Sequence, residues 1–499
     1  MSADPPRTGH RTRARAIALG GAVAPAAAAL AAQWIAHTAL PRVPFAPYSV
    51  GQWVIRHTPG GLATAAIDYL GRWALRTLAL VTIAGALALG VGLRRLPPAL
   101  LGAVAFASTL GAAAVDPAHP SVRWAIAGGA AAALAGVLVA ETLRRPRRRT
   151  MGFDLGRRRL IAGLAAGLGI VALSGTALWR SLLSGVPGLV RATRPLAVHP
   201  DPAFDRIPGL SPLVTSRSDH YIVDIDLVDP MVAAEGWRLR IDGGLGSSLA
   251  LSLSDLLAMP IVERLVCMSC ISNPVGGSLV SDSTWTGVPV RDLLARVGES
   301  RQASTLLARG ADGYFETVPL AAAMAPNVRV AIAMDGALLP REHGFPARLL
   351  VPGRYGYKSV KWLQSITAAP GHPSGYWVQR GWDPYGVIRT QSRIDVPADH
   401  SQVRTPFTVA GVGWAGDRAI SRIEVSADDG RSWTPAQLEP VVDRLSWRRW
   451  RLALSLPPGV HALMVRATDC TGGLQSASSL PPHPSGSSGY HRIVITVAG

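Results

Sequence analysis

The chain is poor in cysteine and in lysine, and the small number of cysteines limits the metal sites that it can form. Its 499 residues contain three cysteines, and no lysine occurs among the first 200 residues. Cys267 and Cys270 form a pair separated by two residues, whereas Cys470 stands alone. A zinc site built from two cysteine pairs therefore lacks its second pair.

The positive charge is confined to the amino-terminal part of the chain. Residues 1–200 carry 22 arginines and five acidic residues, a net charge of +17, whereas residues 201–499 carry 28 basic and 27 acidic residues, a net charge of +1. A protein that binds nucleic acid would carry a basic face on its folded domain. Because the carboxy-terminal part is close to neutral, the sequence argues against nucleic acid as a partner.

Long apolar runs fill the first 200 residues, with arginine clusters between them. A helix that spans a membrane needs about 20 mostly apolar residues. The segments that meet this requirement are 16–38, 73–93, 97–115, 122–143 and 160–183. Alternate loops are rich in arginine, and such loops stay in the cytoplasm. We therefore expect a multi-pass anchor in the cell membrane, with the lipid bilayer as a partner and the carboxy-terminal part on the extracytoplasmic side.

Two features of this region have further interpretations. The run at 16–38 is also compatible with a cleaved signal peptide. The triplet from Arg157 to Arg159 resembles a twin-arginine export signal placed inside the chain, although membrane topology alone also accounts for it. No candidate span contains paired histidines, so we expect no membrane haem held by two imidazoles. The anchor would act as a tether or as a docking surface for another electron carrier.

The stretch from Leu265 to Pro289 combines the cysteine pair with residues that turn the backbone. Two apolar residues, typical of the end of a buried strand, lead into Cys267 and Cys270. The segment Asn273–Gly277 then contains Pro and two Gly residues, which let the backbone turn and approach a ligand closely. A thiolate at a strand end suits a soft metal ion or a nucleophile. The spacing alone also leaves a redox-active disulfide open.

This stretch resembles the molybdenum-ligand segment of the sulfite oxidase family of molybdopterin enzymes, through residues 270–277 (CISNPVGG) and 285–289 (WTGVP). The resemblance extends over roughly residues 200–499 and is closest to the bacterial branch whose catalytic part is tethered to the membrane. It implies a molybdenum–molybdopterin cofactor with Cys270 as the metal ligand, two-electron or oxygen-atom-transfer chemistry and a separate electron-transfer partner. Cys267 would be a small buried residue.

Further matches assign the site residues by resemblance. Residues 218–223 (SDHYIV) align with a segment that contacts the pterin, largely through main-chain atoms, and residues 312–320 place the active-site tyrosine of the family at Tyr314. Tyr314 could equally be a core aromatic residue. The most specific match runs from 342 to 362, where a planar Arg and a Lys suit a buried phosphate. The implied cofactor-binding residues are Asp219, Ile222, Val223, His343, Arg348, Ser359 and Lys361, and the implied catalytic residues are Cys270 and Tyr314.

The sequence departs from true sulfite oxidases in the anion pocket. The positions that match the arginines of this pocket carry Val223 and Val275. Each lost cation removes a charge-assisted contact worth roughly 1.5–3 kcal/mol. We therefore expect a small extracytoplasmic substrate other than sulfite, with reduction of a sulfoxide or of another oxygenated compound as open choices.

The expected architecture is a transmembrane α-helical anchor of about five helices (1–184), a Pro-rich linker (185–215), an α+β molybdopterin-binding domain of sulfite oxidase type (216–385) and an immunoglobulin-like β-sandwich (386–499). The last domain resembles the dimerisation domain of the family, so the chain could form a homodimer. Two other classes stay open. One is a membrane-tethered thiol–disulfide oxidoreductase using Cys267 and Cys270, and the other is an extracytoplasmic binding protein without a cofactor.

Overall fold

The computed structural model describes residues 23–37, 43–70, 74–93, 95–115, 122–144, 190–226, 229–244, 246–298 and 302–499. These residues divide into two compact units. One unit contains the residues up to 57, those from 74 to 144 and the short segment 225–226, and the other contains 58–70, 190–224 and the residues from 229 onward. Every site residue that the sequence predicts lies in the second unit.

The first unit is helical. Residues 23–37 form a helical segment. The helices that follow are α1 (Ala46–His57), α2 (Gly60–Leu70), α3 (Ala74–Gly92), α4 (Pro98–Val115) and α5 (Val122–Arg144), of which α2 belongs to the second unit. Small residues let α4 and α5 approach closely, since a Cβ at Gly102 would meet Val137 Cγ2 at 2.6 Å.

The prediction of a transmembrane anchor is wrong for this part of the chain. Among the described residues, no helix combines the length and the apolar character that a membrane crossing requires. Helices α3 and α4 have 19 and 18 residues, which is about 27–29 Å of helix against a hydrocarbon core of about 30 Å. Helix α5 has 23 residues but is built largely from Ala and Gly and contains Arg123 and Glu141. Counting apolar letters in the sequence overvalued Ala and Gly.

The remaining predictions for this region are not tested. The candidate span 160–183 and the arginines at 157–159 lie outside the described residues. The extracytoplasmic location of the carboxy-terminal part depended on the predicted helices, and it stays a prediction.

Two sheets and four short helices form the first part of the second unit. The strands are β1 (Leu239–Gly243), β2 (Leu249–Leu251), β3 (Val262–Ser269), β4 (Val280–Pro289), β5 (Thr305–Gly310), β6 (Phe315–Pro319), β7 (Arg329–Met334), β8 (Ala337–Leu338), β9 (Arg348–Leu350) and β10 (Leu363–Ala369). The helices are α6 (Pro202–Asp205), α7 (Leu253–Leu257), α8 (Val290–Leu294) and α9 (Leu320–Ala323). One sheet has the order β2-β1-β10-β5-β6, and the other has the order β3-β4-β7-β8 with β9 on β7. This arrangement agrees with the predicted α+β class.

The sheet that contains β3 is buried along most of its length. All six residues of β7 and the last five residues of β3 are buried. Trp285 of β4 is fully buried and packs with Val266, Met268 and Leu350. The residues that follow β3 therefore begin from a rigid, desolvated edge.

Two facing sheets form the rest of the second unit. The strands are β11 (Gln391–Val396), β12 (Gln402–Arg404), β13 (Phe407–Trp414), β14 (Ile420–Ser426), β15 (Thr434–Pro435), β16 (Gln437–Leu438), β17 (Arg448–Leu454), β18 (Gly459–Asp469) and β19 (His491–Ala498). The sheet orders are β11-β13-β17-β16 and β12-β19-β18-β14-β15. Both sheets contribute to one core that includes Val409, Trp450 and Ile495. Residues 391–498 thus form a β-sandwich, as the alternating pattern predicts.

Part of the predicted linker packs against this sandwich. Asp201 caps α6 by accepting from Ala203 N–H at 2.8 Å. Phe204 is fully buried beneath the guanidinium groups of Arg449 and Arg451, and Arg449 forms a salt bridge with Asp205 at 2.7 Å. One aromatic residue and its flanking charges therefore fix a Pro-rich segment that composition alone describes as a linker.

Candidate functional site

Cys270 lies immediately after β3, where the chain leaves the buried sheet. Its N–H donates to the carbonyl of Leu279 at 2.9 Å, and Asn273 N–H donates to the carbonyl of Cys270 at 3.2 Å. Asn273 Oδ1 accepts from Leu279 N–H at 2.8 Å, and Gly276 has a φ of +76°. Residues 270–279 therefore form a closed turn, the cysteine loop, whose first residue is a buried thiol.

The two cysteines of the pair have different surroundings. Both are thiols, so no disulfide joins them. Cys267 lies within β3, directly opposite Asp282 of β4. Burial, followed by the proximity of Asp282, raises the pKa of the Cys267 thiol well above its usual range. Cys267 is therefore a neutral buried residue, and the role of Cys270 as a metal ligand stays a prediction.

Arg348, at the start of β9, is a buried cation whose hydrogen bonds among the described residues go to main-chain carbonyls, while the charge of Asp224 acts on it without a direct ion pair. Its guanidinium donates to the main-chain carbonyls of His343 at 3.4 Å and Ser359 at 3.1 Å, and it lies 5.0 Å from the centre of the Trp285 ring. Its Nε has no hydrogen-bond partner among the described residues. Burial lowers its pKa to about 10, so it stays charged at neutral pH.

This arrangement fits an anionic ligand. A buried charge without a direct ion pair is costly, and the unused Nε–H is a donor already in place for an acceptor. A phosphate carried by a pterin cofactor has the charge and the oxygen atoms to complete these contacts. The donor set therefore fits the cofactor that the sequence implies.

Two buried histidines lie beside this cation. His343 is 2% exposed and contacts the carbonyl of Arg217 through Nε2 at 2.9 Å. His220 contacts Ser283 Oγ through Nδ1 at 3.0 Å, and the two imidazole rings are 5.2 Å apart. Burial lowers the pKa of His343 to about 4 and that of His220 well below 6.5. Both rings are therefore neutral at pH 7 and offer hydrogen bonds rather than charge.

The structure brings His343, Arg348 and Ser359 together, whereas Lys361 is already paired. Ser359 is buried, and its Oγ accepts from Val351 N–H at 3.1 Å. Lys361 Nζ donates to the carbonyl of Glu342 at 2.7 Å and forms an ion pair with Asp224. The role of all four predicted residues in cofactor binding stays a prediction. Lys361 would have to divide its charge between the cofactor phosphate and Asp224.

The segment 218–223 contributes less through the side chains of Asp219, Ile222 and Val223 than the prediction implied. Asp219 is exposed, and its carboxylate accepts from Ser216 Oγ at 2.7 Å within a local turn. Ile222 is 41% exposed and Val223 is half-buried. Any contact of Asp219 with a pterin would use its main chain, since its side chain is committed to the turn.

Tyr314 is hydrogen-bonded to the main chain beside a buried ion pair. Its hydroxyl donates to the carbonyl of Tyr357 at 2.7 Å. The next residue along the chain, Lys358, forms a salt bridge at 2.9 Å with Glu316, and the two side chains are 1% and 0% exposed. Because the hydroxyl proton of Tyr314 is already donated to the main chain, its predicted place above the open metal position stays a prediction.

Two other tyrosines are electrostatically coupled to Cys270. Burial, followed by the charge of Cys270, raises the pKa of Tyr221 well above its usual range, and Arg348 opposes this shift. Burial also raises the pKa of Tyr355 to about 12, with a further contribution from Cys270. Both hydroxyls stay protonated at neutral pH. The aligned segments 218–223 and 342–362 contain both tyrosines, but the sequence alone does not single them out as site residues.

The structure agrees with the departure from an arginine-lined anion pocket. Val275 is half-buried and lies close to Gly489 of the sandwich, because a Cβ at Gly489 would be 3.7 Å from Val275 Cγ2. Arg393 does reach the cysteine loop, but it also forms a salt bridge with Asp395 at 2.6 Å. The charge of Arg393 is thereby largely neutralised.

Two family models match the second unit. Residues 226–377 match the oxidoreductase molybdopterin binding domain, and residues 386–497 match the Mo-co oxidoreductase dimerisation domain. The sulfite oxidase of Gallus gallus is 30% identical over 303 residues, which is 50% of this chain and 66% of that protein. An Azospira oryzae protein, provisionally named protein-methionine-sulfoxide reductase subunit YedZ1, is 31% identical over 155 residues, 31% of this chain and 57% of that protein.

A solved structure shares the fold. The sulfane dehydrogenase SoxCD from Paracoccus pantotrophus aligns with a TM-score of 0.51 and 22% sequence identity, over 63% of this chain and 93% of that chain. At this identity the likeness shows the fold alone. The chain spans less than two thirds of the length of the curated relatives it matches, for example 58% of the human sulfite oxidase.

The two domain matches define a molybdopterin-dependent oxidoreductase whose cofactor is molybdenum–molybdopterin, and the buried Cys270 thiol and Arg348 lie within the first matched domain. Within that class the chain belongs to the sulfite oxidase family. The predicted family, enzyme class and cofactor are confirmed, whereas the assignment to a membrane-anchored bacterial branch is not.

Proposed function

We propose that Cys270 is the protein ligand of molybdenum and that the chain carries out two-electron or oxygen-atom-transfer chemistry on a small substrate other than sulfite. The observation that carries the proposal is the buried Cys270 thiol at the end of β3, together with the buried Arg348 guanidinium, whose Nε has no hydrogen-bond partner among the described residues. A soft thiolate and a buried cation are the two groups that a molybdenum–pterin–phosphate ligand requires from the protein.

The residues around this centre would divide its binding between them. Arg348 would bind the phosphate through its Nε–H. The main-chain carbonyls of His343 and Ser359 accept from the other guanidinium nitrogens and so orient the group. When bound, the cofactor supplies the two-electron redox and oxygen-transfer chemistry. Burial of the site in the sheet edge excludes water from the thiolate, which strengthens each electrostatic contact.

A neutral oxygenated substrate, such as a sulfoxide, suits this site better than sulfite. Val223 and Val275 supply no positive charge, and Arg393 shares its charge with Asp395. The hydroxyls of Tyr221 and Tyr355 are protonated and neutral, and a sulfoxide oxygen can accept hydrogen bonds from such groups. The relative named for methionine sulfoxide reduction supports this choice.

The partners in this proposal are an electron-transfer protein and a second copy of the chain. Each two-electron turnover needs an external donor or acceptor, and residues 386–497 match a dimerisation domain. Analytical ultracentrifugation of the full chain tests the homodimer, which would sediment at twice the mass of the monomer.

Elemental analysis and turnover of the purified full chain test the function. We expect about one molybdenum per chain, loss of the metal in Cys270→Ser, and reduction of methionine sulfoxide by a reduced artificial carrier. Cys267→Ser serves as the matched control and should keep its metal. Molybdenum retained in Cys270→Ser, or efficient turnover of micromolar sulfite, would contradict the proposal. A metal-free chain in which both cysteines are needed for thiol exchange would instead support the thiol–disulfide alternative, and a metal-free, inactive chain would support a binding protein.

A further inference from the structure

The cysteine loop is held from outside by the β-sandwich. Ser487 Oγ donates to the carbonyl of Asn273 at 2.7 Å, and Arg393 Nη1 donates to the carbonyl of Gly277 at 2.8 Å. Gly276 lies directly against the imidazole of His491, so that a Cβ at this position would overlap the ring. Two main-chain carbonyls of the loop therefore take their donors from the sandwich.

The segment that carries Ser487 is itself firmly seated. Ser487 is 4% exposed, and its carbonyl accepts from Gln391 Nε2 at 2.6 Å. Arg389 Nε donates to the carbonyl of Ser485 at 3.1 Å. Gly486 has a φ of +86°, and a Cβ there would overlap the hydroxyl of Tyr355. The residues 485–487, which we call the sandwich loop, therefore contact both the cysteine loop and a tyrosine coupled to Cys270.

The hydrogen bond from Ser487 fixes the peptide group that carries the Asn273 carbonyl, which directly follows the peptide group that carries the Asn273 N–H. The N–H of Asn273 closes the turn onto the carbonyl of Cys270, and the carbonyl of Asn273 is bound by Ser487. Rotation of the backbone on either side of Asn273 would strain or break these bonds. The geometry of the turn that carries the Cys270 thiol thus depends on a hydroxyl that lies more than 200 positions away in the sequence.

We propose that Ser487 is a positioning residue that sets the orientation of the Cys270 thiolate through the Asn273 peptide group. The inference rests on the proposed role of Cys270 as a metal ligand. It assigns to the sandwich a part in the metal centre in addition to any role in dimerisation, through a hydroxyl that does not itself touch the cofactor.

The neighbouring serine provides a matched control. Ser488 is 3% exposed, and its Oγ donates to the carbonyl of Ser478 at 2.6 Å, within the sandwich itself. Ser487→Ala and Ser488→Ala therefore remove the same group at the same burial, but only the first removes a bond to the cysteine loop. Ser487→Thr keeps the hydroxyl and serves as the conservative variant.

Hydrogen exchange of the metal-free full chain is the first measurement. We expect the Asn273 amide to exchange about fivefold faster in Ser487→Ala, the factor for one neutral hydrogen bond, and to be unchanged in Ser488→Ala. In the loaded enzyme we expect altered g-values of the Mo(V) electron paramagnetic resonance signal in Ser487→Ala, restored in Ser487→Thr.

Equal exchange at Asn273 in the two alanine variants would overturn the proposal. The same conclusion would follow if Ser487→Ala accelerated exchange across the whole sandwich as much as in the cysteine loop, since its role would then be structural only. A wild-type chain without molybdenum would refute the proposed function, whereas the exchange experiment on the metal-free chain would still decide whether Ser487 positions the loop.

Discussion

Replacement of Lys358 by methionine tests how the buried ion pair beneath Tyr314 contributes to stability. Lys358 Nζ lies 2.9 Å from Glu316 Oε1 and 3.1 Å from the carbonyl of Thr317, and both charged side chains are almost fully buried. Methionine retains the length of the side chain and removes its charge. Because the Glu316 carboxylate then lacks its cation in a desolvated position, we expect a loss of about 3–5 kcal/mol.

The double variant separates the pair from its packing. Lys358→Met with Glu316→Gln removes both charges, so it should recover most of the stability that the single variant loses. For a unit of this size, a loss of about 4 kcal/mol lowers the Tm by roughly 10 °C. Thermal unfolding followed by circular dichroism, on metal-free protein, measures both variants against the wild type.

The loss should also depend on pH, with a sign that the ion pair determines. Burial raises the pKa of Glu316 above 4.5, and Lys358 opposes this shift. Without Lys358 the pKa rises further, so the folded variant retains a proton that the unfolded chain releases above its ordinary pKa. Stability of the variant therefore falls as the pH rises, and the difference from wild type should be larger at about pH 8 than at about pH 4.5. A Tm within about 2 °C of wild type at both pH values would refute this reasoning.

Three further changes test the site. Arg348→Met should lower the affinity for the cofactor roughly 10–100-fold, since it removes charge-assisted contacts, and the molybdenum content per chain measures this. In the metal-free wild type, burial lowers the pKa of His343 to about 4. As the pH falls, the unfolded chain therefore protonates this histidine before the folded chain does. Stability should then fall by roughly 3 kcal/mol from pH 6.5 to pH 4, and less in His343→Asn, as urea unfolding would show. Gly276→Ala should distort the cysteine loop and lower metal content, whereas Gly236→Ala, at a similar φ of +79° in open space, should not.

Each of these expectations has a contradicting result. Full molybdenum occupancy in Arg348→Met would show that this cation is not the phosphate contact. An equal pH dependence in His343→Asn and wild type would assign the acid sensitivity to other groups. Equal metal content in Gly276→Ala and Gly236→Ala would show that contact with His491 does not constrain the loop.

The local sequence predicted those site features that depend on short runs of residues. The turn-forming residues after Cys270 give a closed loop because Asn273 and Gly276 adopt the bonds and the positive φ that these residue types favour. The residues His343, Arg348 and Ser359 meet because they lie within a single stretch of 17 positions.

The sequence could not show which charges are compensated. Lys361 and Lys358 are the only two lysines of the chain and lie three positions apart, yet one pairs with Asp224 and the other with Glu316. Arg348 forms no ion pair among the described residues, although the charge of Asp224 also acts on it. Which acid reaches which cation depends on the packing of separate strands, and no local pattern contains that information. The transmembrane prediction failed because no helix among the described residues combines the length and the apolar character of a membrane span.

The sequence by itself determined the family and the cofactor, because short runs of residues around Cys270 and from 342 to 362 resemble those of the family, whereas the role of Cys270 as metal ligand stays a prediction. The tertiary structure alone decided that Tyr314 is tied to the main chain, that Tyr221 and Tyr355 are coupled to Cys270, and that Ser487 binds the cysteine loop. These contacts join residues far apart in the chain. They form only when separate strands and loops pack together, because each polar group that is buried there then needs a hydrogen-bond partner.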